Sequence, residues 1–252
     1  MSFRKIAAFA VLAGSIGAAH GAAILTHDYE LNGSLSDALG GPSLVSFGGT
    51  LGGTGYTFGA NQGLSLSNGF ANAGNYSIEM GFSFDTTGGF RKILDFKNRT
   101  SDNGLYNLTH NLNFFPITTG VGGQITDTTF VTVILTRDSG STVAVGYVNG
   151  AQQISFTDTT SLAVFDAASN IAQFFRDDFA TGQGEASSGF VDFIRVYDGA
   201  LTGNQASCLQ GSNPLACNIP GAVGNQSVPE PGSLALLGLG LLGFFARKRG
   251  AR

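Results

Sequence analysis

Charged side chains and histidines are scarce in this sequence, and their scarcity excludes several classes of protein. Charged residues make up 12% of the 252 residues, and only three residues are histidine. Between the two ends of the chain, acids outnumber Lys and Arg by more than two to one, so the body is strongly acidic. An acidic surface repels the phosphates of DNA and RNA, and nucleic-acid binding is therefore not expected.

The side chains of common catalytic and metal sites are also missing. No Gly-x-Ser-x-Gly turn accompanies His27 or His110, the two histidines of the body, so a Ser-His-Asp triad is not expected. Zinc-type spacing of Cys and His is absent, and so is a Gly-rich phosphate loop ending in Lys. The three glutamates of the body lie far apart in sequence, which excludes the closely spaced pair of a retaining glycosidase strand.

Glycine, by contrast, is abundant, with 38 residues, and Thr, Ser, Val and Phe are frequent in the middle of the chain. This composition disfavours helices and favours strands joined by tight turns. Most of the 21 phenylalanines are expected in a core. The adjacent pairs Phe114-Phe115 and Phe174-Phe175 predict one outward ring each, unless the chain bends there, and an outward ring can stack on a sugar.

Residues 1–21 have the parts of a secretory signal peptide. A basic pair, Arg4 and Lys5, precedes an uncharged run of small and apolar residues that is too short to span a bilayer. Small residues follow the run and predict cleavage after Gly21, with cleavage after Ala23 as the alternative. We therefore expect the Sec translocon to export the chain and a signal peptidase to process it.

Residues 228–252 combine three features in a fixed order. The segment opens with a proline-flanked acidic motif made of Val228, Pro229, Glu230 and Pro231. An apolar run at 232–246 and a basic end at 247–252 follow. As a helix the run reaches roughly 22 Å, short of a hydrocarbon core of about 30 Å, and the basic end favours the cytoplasmic side. The residues alone indicate either a marginal membrane anchor or a core helix.

This arrangement resembles the PEP-CTERM sorting signal of Gram-negative bacteria, and the resemblance covers 228–252. It implies that the tail anchors the protein transiently in the inner membrane. An exosortase then cleaves near the Pro-Glu-Pro motif and releases the protein towards the cell surface or the extracellular matrix. On either interpretation of the tail, the four residues of its motif are recognition residues rather than catalysts.

Between the two ends, the patterning predicts strands rather than helices. The predicted strands lie at 23–31, 76–84, 130–136, 142–148, 151–156 and 189–198. Alternation along the second of them places five large apolar side chains on one face. Asn149-Gly150 predicts a type I′ hairpin. Many short strands separated by turns predict an all-β sandwich of two antiparallel sheets.

Several of these segments resemble the laminin-G-like branch of the concanavalin-A-like jelly rolls. The resemblance is carried by 29–37, by 132–137 with the Tyr-Val-Asn-Gly sequence at 147–150, and most specifically by 189–202. It implies a jelly-roll sandwich. Before the central hairpin strand, where the family usually has Trp or another large aromatic residue, this chain has Phe130 and no Trp anywhere.

The sequence therefore predicts one folded domain between two targeting segments. The predicted parts are a signal helix at 1–21, a laminin-G-like sandwich at 22–205, a linker at 206–227 and a tail with a membrane helix at 228–252. The linker contains Cys208 and Cys217. In an oxidising compartment these two cysteines are expected to form a disulfide, and the alternative is two free thiols.

An acidic loop before the last predicted strand is the candidate cation site. Asp177, Asp178 and Glu185 lie there among glycines, and Ca²⁺ takes about six to eight oxygen ligands from carboxylates, carbonyls and water. The resemblance also implies calcium, since laminin-G-like domains often hold it on loops at the rim. The alternative is a solvated acidic turn with Arg176 paired to a neighbour. No other cofactor is expected.

The leading hypothesis is an exported, exosortase-sorted protein of the cell surface or extracellular matrix. It is expected to be non-catalytic and to bind carbohydrate or another matrix component, with extracellular polysaccharide as its partner. Two alternatives stay open. One is a carbohydrate-active enzyme on the same fold, either a glycoside hydrolase or a lyase. The other is a purely structural matrix component with no ligand site.

Overall fold

The computed structural model of the chain describes residues 22–166 and 168–222. The predicted signal peptide and the predicted sorting tail, including Val228 to Pro231, lie outside these residues. Within the described ranges, no helix has the length and apolar character needed to cross a bilayer.

The described residues form fifteen strands and one short helix. The first eight strands are β1 (Ile24–Tyr29), β2 (Val45–Ser46), β3 (Thr50–Leu51), β4 (Tyr56–Phe58), β5 (Leu64–Ser67), β6 (Tyr76–Phe84), β7 (Phe90–Asp95) and β8 (Gly104–Leu108). The remaining elements are β9 (Asn111–Phe115), β10 (Thr118–Thr119), β11 (Val131–Arg137), β12 (Val143–Val148), β13 (Ala151–Thr157), β14 (Ile171–Phe174), β15 (Gly189–Asp198) and α1 (Gly203–Leu209).

The strands form two antiparallel sheets that pack face to face. Sheet I has the order β13-β12-β11-β6-β15-β4-β3, and β1 also pairs with β15. Sheet II has the order β10-β9-β8-β7-β14-β5-β2. The expected all-β sandwich of two antiparallel sheets is thereby confirmed.

The core lies between the two sheets and is rich in aromatic rings. Along β6 the side chains that share one face are all buried in it, as predicted: Tyr76, Ile78, Met80, Phe82 and Phe84. Sheet II contributes the rings of Phe96, Phe114 and Phe174. Burying an apolar side chain of this size stabilises the fold by about 1.5–3 kcal/mol, so the aromatic layer supplies much of the driving force for sheet packing.

The predicted hairpin joins β12 to β13. Asn149 and Gly150 have φ angles of 48° and 75°, the left-handed values that a type I′ turn requires at both central positions. The Asn149 side chain also accepts a hydrogen bond from the Thr132 amide at 2.9 Å. This bond ties the turn to the neighbouring strand β11.

The segment expected to be a linker is part of the folded unit as far as residue 222. Thr202 caps helix α1 with a capping box that includes Gln205. The apolar side of the helix packs on the outer face of sheet I in a second core that includes Tyr147 and Tyr197. The linker prediction failed here because apolar residues in 201–222 find a sheet face to cover.

The disulfide between Cys208 and Cys217 is present and closes this C-terminal segment. Beyond it, Ile219 is buried in the second core. The Pro220 carbonyl then accepts a hydrogen bond from the Leu25 amide of β1 at 2.8 Å. The two limits of the described chain therefore lie side by side at one edge of sheet I.

Candidate functional site

A groove runs across the outer face of sheet II. Leu64 and Leu66 of β5 point into the core, and so do Ala172 and Phe174 of β14. Because side chains alternate along a strand, the residues between them face outward. They form the floor of the groove, which consists of Ser65, Ser67, Ile171 and Gln173.

Two exposed phenylalanines and two arginines form the walls of the groove, which encloses about 470 Å³. Phe47 is 40% exposed and Phe179 is 61% exposed. The Arg176 guanidinium lies 3.5 Å from the centre of the Phe47 ring, and the Arg99 guanidinium lies 4.2 Å from the centre of the Phe179 ring. Each ring is thereby held in place by a cation–π contact.

A bend of the backbone directs Arg176 into the groove. Phe174 and Phe175 are both fully buried, which a regular strand does not permit for neighbouring residues. Phe175 has a φ of 59°, and this left-handed conformation turns its ring back into the core and the next residue outward. At the other pair the strand continues, so Phe114 is buried and Phe115 is half-buried on the opposite face.

A partly buried chain of hydrogen bonds fixes the polar floor. The Gln173 Oε1 accepts from Arg176 Nη1 at 2.7 Å, and the Gln173 Nε2 donates to Asn98 Oδ1 at 2.8 Å. Asn98 and Arg99 have φ angles of 49° and 67°, so two consecutive residues at the groove are in the left-handed region. Such backbone conformations cost about 1–3 kcal/mol each and cluster at functional sites.

The predicted calcium loop lies over sheet II beside the groove, and a lysine takes the place expected for the ion. The buried Lys92 ammonium of β7 lies 2.9 Å from Asp178 Oδ2, 3.9 Å from Asp177 Oδ1 and 3.7 Å from Asp95 Oδ2. The described residues contain no group of three or more His, Cys, Asp or Glu side chains arranged to hold a metal ion. Asp177 and Asp178 therefore have a lysine as counter-ion in this structure, and calcium binding at Asp177, Asp178 and Glu185 stays a prediction.

Further contacts complete the Lys92 cluster, defined as Lys92 with Asp95, Asp177 and Asp178. The ammonium donates to the Asn103 carbonyl at 3.0 Å and lies 4.1 Å from the centre of the Tyr106 ring. Burial raises the pKa of Asp95. Burial also acts on Asp178, but the hydrogen bond and charge of Lys92 outweigh it and hold the pKa of Asp178 below its ordinary value.

Glu185 joins the cluster through its backbone. Its amide donates to Asp177 Oδ2 at 2.8 Å, and its carbonyl accepts from the Lys92 amide at 2.8 Å. Burial raises the pKa of its carboxyl, and the charge of Asp177 adds to this effect. The three acids of the predicted site are thus brought together, but they fasten the loop to the sheet. The fastened loop carries Arg176 and Phe179 to the groove.

Neither histidine of the body forms part of a catalytic triad. His27 Nδ1 lies 2.7 Å from Asp37 Oδ2, and its Nε2 lies 3.0 Å from the Gly69 carbonyl oxygen, so both ring nitrogens have partners. His110 Nδ1 lies 2.7 Å from the hydroxyl of the buried Thr87, whose proton goes to Asp127 at 2.6 Å. A hydroxyl that donates to a carboxylate is not activated by the imidazole.

A second polar cluster lies on the other side of the sandwich, on the outer face of sheet I. Arg195 of β15 pairs with Asp28 at 3.0 Å, with Glu30 at 2.6 Å and with the buried Glu79 at 3.5 Å. The Tyr197 hydroxyl donates to Glu79 at 2.5 Å. This cluster was not predicted from the sequence, although strand alternation places Arg195 and Tyr197 on one face of β15.

Stability is expected to rise as the pH falls from about 8 to about 5. Burial raises the pKa of Asp28 to about 6, and burial also raises the pKa values of Glu79 and Asp192. In this window the folded state binds more protons than the unfolded state, whose carboxyl pKa values lie near 4, so lower pH favours folding. Thermal unfolding at several pH values measures the slope.

The variant Asp28→Asn should flatten that slope by about 1–2 kcal/mol over the window, because its side chain no longer binds a proton. Below about pH 4 the trend reverses, since the pKa of Asp37 is lowered by its backbone amides and His27 against the effect of burial. A thermal unfolding midpoint that rises steadily from pH 5 to pH 8 contradicts the predicted gain of stability at lower pH.

Comparison with known families decides the nature of the tail. The PEP-CTERM protein-sorting motif matches residues 227–249. The chain carries a PEP-CTERM sorting signal. The resemblance of the proline-flanked motif, apolar run and basic end is thereby confirmed, and it makes this an exported protein recognised by an exosortase. A search of curated protein sequences finds no match to the chain.

Solved structures show the fold of the body that precedes the PEP-CTERM signal. Domain 4 of AbnA, a GH43 extracellular arabinanase from Geobacillus stearothermophilus determined with arabinotriose, is similar at a TM-score of 0.55 and 19% identity, over 75% of this chain and all of that one. Trypanosoma rangeli sialidase is similar at a TM-score of 0.54 and 15% identity, over 75% of this chain and 32% of that one.

The binding domain of botulinum neurotoxin serotype D is a third similar structure, at a TM-score of 0.52 and 11% identity. The match covers 75% of this chain and 51% of that one. At these identities the likeness shows the fold alone. The body of the PEP-CTERM chain is therefore a β-sandwich of two antiparallel sheets, the fold class that the sequence predicted.

Proposed function

We propose that this chain is a non-catalytic surface or matrix protein whose sandwich binds carbohydrate in the groove of sheet II. The groove itself is the observation that supports this function. It brings two exposed rings, Phe47 and Phe179, together with the amide and hydroxyl groups of the floor. Sugars offer an apolar C–H face to a ring and hydroxyls to polar groups, so this combination suits them.

Similar structures support the proposal at the level of the fold. The arabinanase domain was determined with arabinotriose, so a sandwich of this kind accommodates a sugar chain in at least one protein. The groove of this chain is open along the outer face of the sheet, which suits a polymer rather than a small molecule. We infer extracellular polysaccharide as the ligand class.

A non-catalytic role is favoured over a carbohydrate-active enzyme by the placement of the carboxylates. Glycoside hydrolysis usually needs two carboxylates facing the scissile bond, and the described residues that line the groove include neither Asp nor Glu. The acids of the Lys92 cluster, which lies beside the groove, are fully buried. On sheet I the acids around Arg195 are held in ion pairs.

Export and sorting complete the proposal. The signal peptide at 1–21 leads the chain through the Sec translocon, and the tail anchors it transiently in the inner membrane of a Gram-negative bacterium. The exosortase then recognises Val228 to Pro231 and releases the sandwich to the cell surface or matrix. Polysaccharide binding keeps the released protein there.

The test is retention of the purified exported protein on immobilised neutral and acidic polysaccharides. We expect Phe179→Ala and Phe47→Ala each to weaken retention by about fivefold, since a stacked ring contributes about 1 kcal/mol. The control is Phe130→Ala, because Phe130 is 46% exposed and contacts Gly81 on the outer face of sheet I.

Retention on no polysaccharide favours the purely structural alternative. Equal retention of the groove variants and the wild type places the binding site elsewhere. Release of sugars from a bound polymer favours the enzyme.

A further inference from the structure

Arg176 presents a positive charge in the groove of an otherwise acidic body. Among the described residues it forms no ion pair, and its hydrogen bonding is limited to one bond from Nη1 to the neutral Gln173 side chain. Its Nε is buried without a hydrogen-bond partner in the same part of the chain. A guanidinium in this state keeps most of its capacity to bind an acceptor from outside.

A second guanidinium increases the positive potential at this point. Arg99 lies buried in the groove wall, where Nε donates to the Asp177 carbonyl and Nη2 donates to Gln183 Oε1, each at 2.5 Å. Burial lowers the pKa of Arg176 to about 10, and the charge of Arg99 contributes to this shift. A bound anion favours the charged form of Arg176, so it offsets both the repulsion by Arg99 and the cost of burying the Arg176 charge.

The surroundings of Arg176 suit a carboxylate attached to a sugar. The centre of the Arg176 guanidinium lies 3.5 Å from the centre of the exposed Phe47 ring, so its charge is held against an aromatic wall of the groove. A planar fork of this kind binds a carboxylate through two parallel hydrogen bonds. The rings of Phe47 and Phe179 then lie where the sugar that carries the carboxylate is placed.

We propose that the groove selects an acidic polysaccharide, one whose sugars carry carboxylates, and that Arg176 binds the carboxylate while Arg99 reinforces its charge. This inference rests on the proposed carbohydrate-binding function and adds the chemical class of the ligand. The acidic body repels a polyanion over the rest of its surface, so attraction is confined to the groove.

The experiment compares four immobilised polymers: polygalacturonate, the same polymer after chemical reduction of its carboxyls, a sulfated dextran and a neutral dextran. We expect the wild-type protein to bind polygalacturonate at least about tenfold more tightly than its reduced form, the gain of one charge-assisted bidentate contact. Arg176→Gln should remove this preference and leave binding to the reduced polymer within about twofold.

Arg91→Gln is the matched control, because Arg91 is a half-buried cation of the same sheet that donates to its neighbour's carbonyl and lies outside the groove lining. It should keep the wild-type preference. Arg176→Lys keeps the charge but loses the fork, so it should show an intermediate preference. Thermal midpoints close to wild type confirm that each variant is folded.

Equal binding to polygalacturonate and its reduced form overturns the acidic-ligand inference and leaves carbohydrate binding intact. Equal weakening by Arg176→Gln and Arg91→Gln also overturns it, since only net charge then matters. Tighter binding to sulfated dextran than to polygalacturonate contradicts the preference for carboxylates. Binding to none of the four polymers overturns this inference together with the proposed function.

Discussion

Lys92→Met is expected to lower the free energy of unfolding by about 3–5 kcal/mol, because it leaves buried carboxylates without their counter-ion. The ammonium is the closest cation to Asp95, Asp177 and Asp178, and all four side chains are fully buried. Methionine keeps nearly the same volume, so the loss reports on charge rather than on a cavity. Denaturant unfolding measures it.

Two controls separate charge from packing. In Lys92→Met the unpaired Asp178 binds a proton more readily, so the loss should shrink as the pH falls from 7 to about 5. The double variant Lys92→Met with Asp178→Asn should recover part of the stability, since it removes one of the unpaired charges. A loss that is the same at both pH values, with no recovery in the double variant, contradicts a role in charge compensation.

Lys92→Met should also weaken polysaccharide binding below its unfolding temperature. Asp177 and Asp178 fasten the loop that supplies Arg176 and Phe179, and without Lys92 the charges in that loop repel the sheet. The groove variants, in contrast, should lose binding with little change in stability. This difference distinguishes residues that hold the loop from residues that contact the ligand.

Replacing both cysteines, Cys208→Ser with Cys217→Ser, is expected to cost about 2–3 kcal/mol. The disulfide spans a sequence separation of nine residues, and its removal releases chain entropy in the unfolded state. It also loosens the C-terminal segment, so amides of α1 should exchange hydrogen faster than those of β6 by a wider margin than in wild type.

Unfolding in the presence and absence of a reductant checks the stability change, and hydrogen exchange locates it. Reduction of the wild type should reproduce the double variant, and reductant should leave the double variant unchanged. A double variant that is as stable as the oxidised protein contradicts a structural role for the disulfide. The C-terminal segment then covers Tyr147 and Tyr197 equally well without it.

The longer strands of sheet I could be predicted because they alternate or end in short, recognisable turns, whereas the short strands β3 and β4 were not predicted. The segments 76–84 and 189–198 became β6 and β15 with the predicted bounds. Asn149-Gly150 identified the hairpin between β12 and β13. Local sequence patterns were therefore sufficient to predict strands whose inward and outward side chains alternate regularly.

The strands of sheet II escaped prediction because several of their outward side chains are polar yet buried. Lys92, Asp95 and Asn113 face outward on its strands and are almost fully covered. A register shift between Lys92 and Leu94 also places two successive apolar residues in the core. The loop at 176–188 covers part of this face. It is distant in sequence from strands β7 to β9, so no local pattern in those strands predicts that their outward side chains are buried.

The candidate site shows the same limit. The acidic loop was recognisable as a cluster of charge, but its partner Lys92 lies 86 residues before Asp178. The groove gathers residues from four separate stretches of sequence, and only the Phe174-Phe175 pair hinted at a bend there. Contacts between distant segments decide both features, and a single sequence does not encode them in any local spacing.

The hydrogen bond between Leu25 and Pro220 brings the first and last described segments of the chain to one corner of the sandwich. A leader fused before residue 22 and a tail continuing after 222 therefore start from neighbouring points. The corner belongs to sheet I, and the proposed polysaccharide groove lies on the outer face of sheet II. Linking the two points directly and opening the chain at a surface turn should give a circular permutant that folds and still binds.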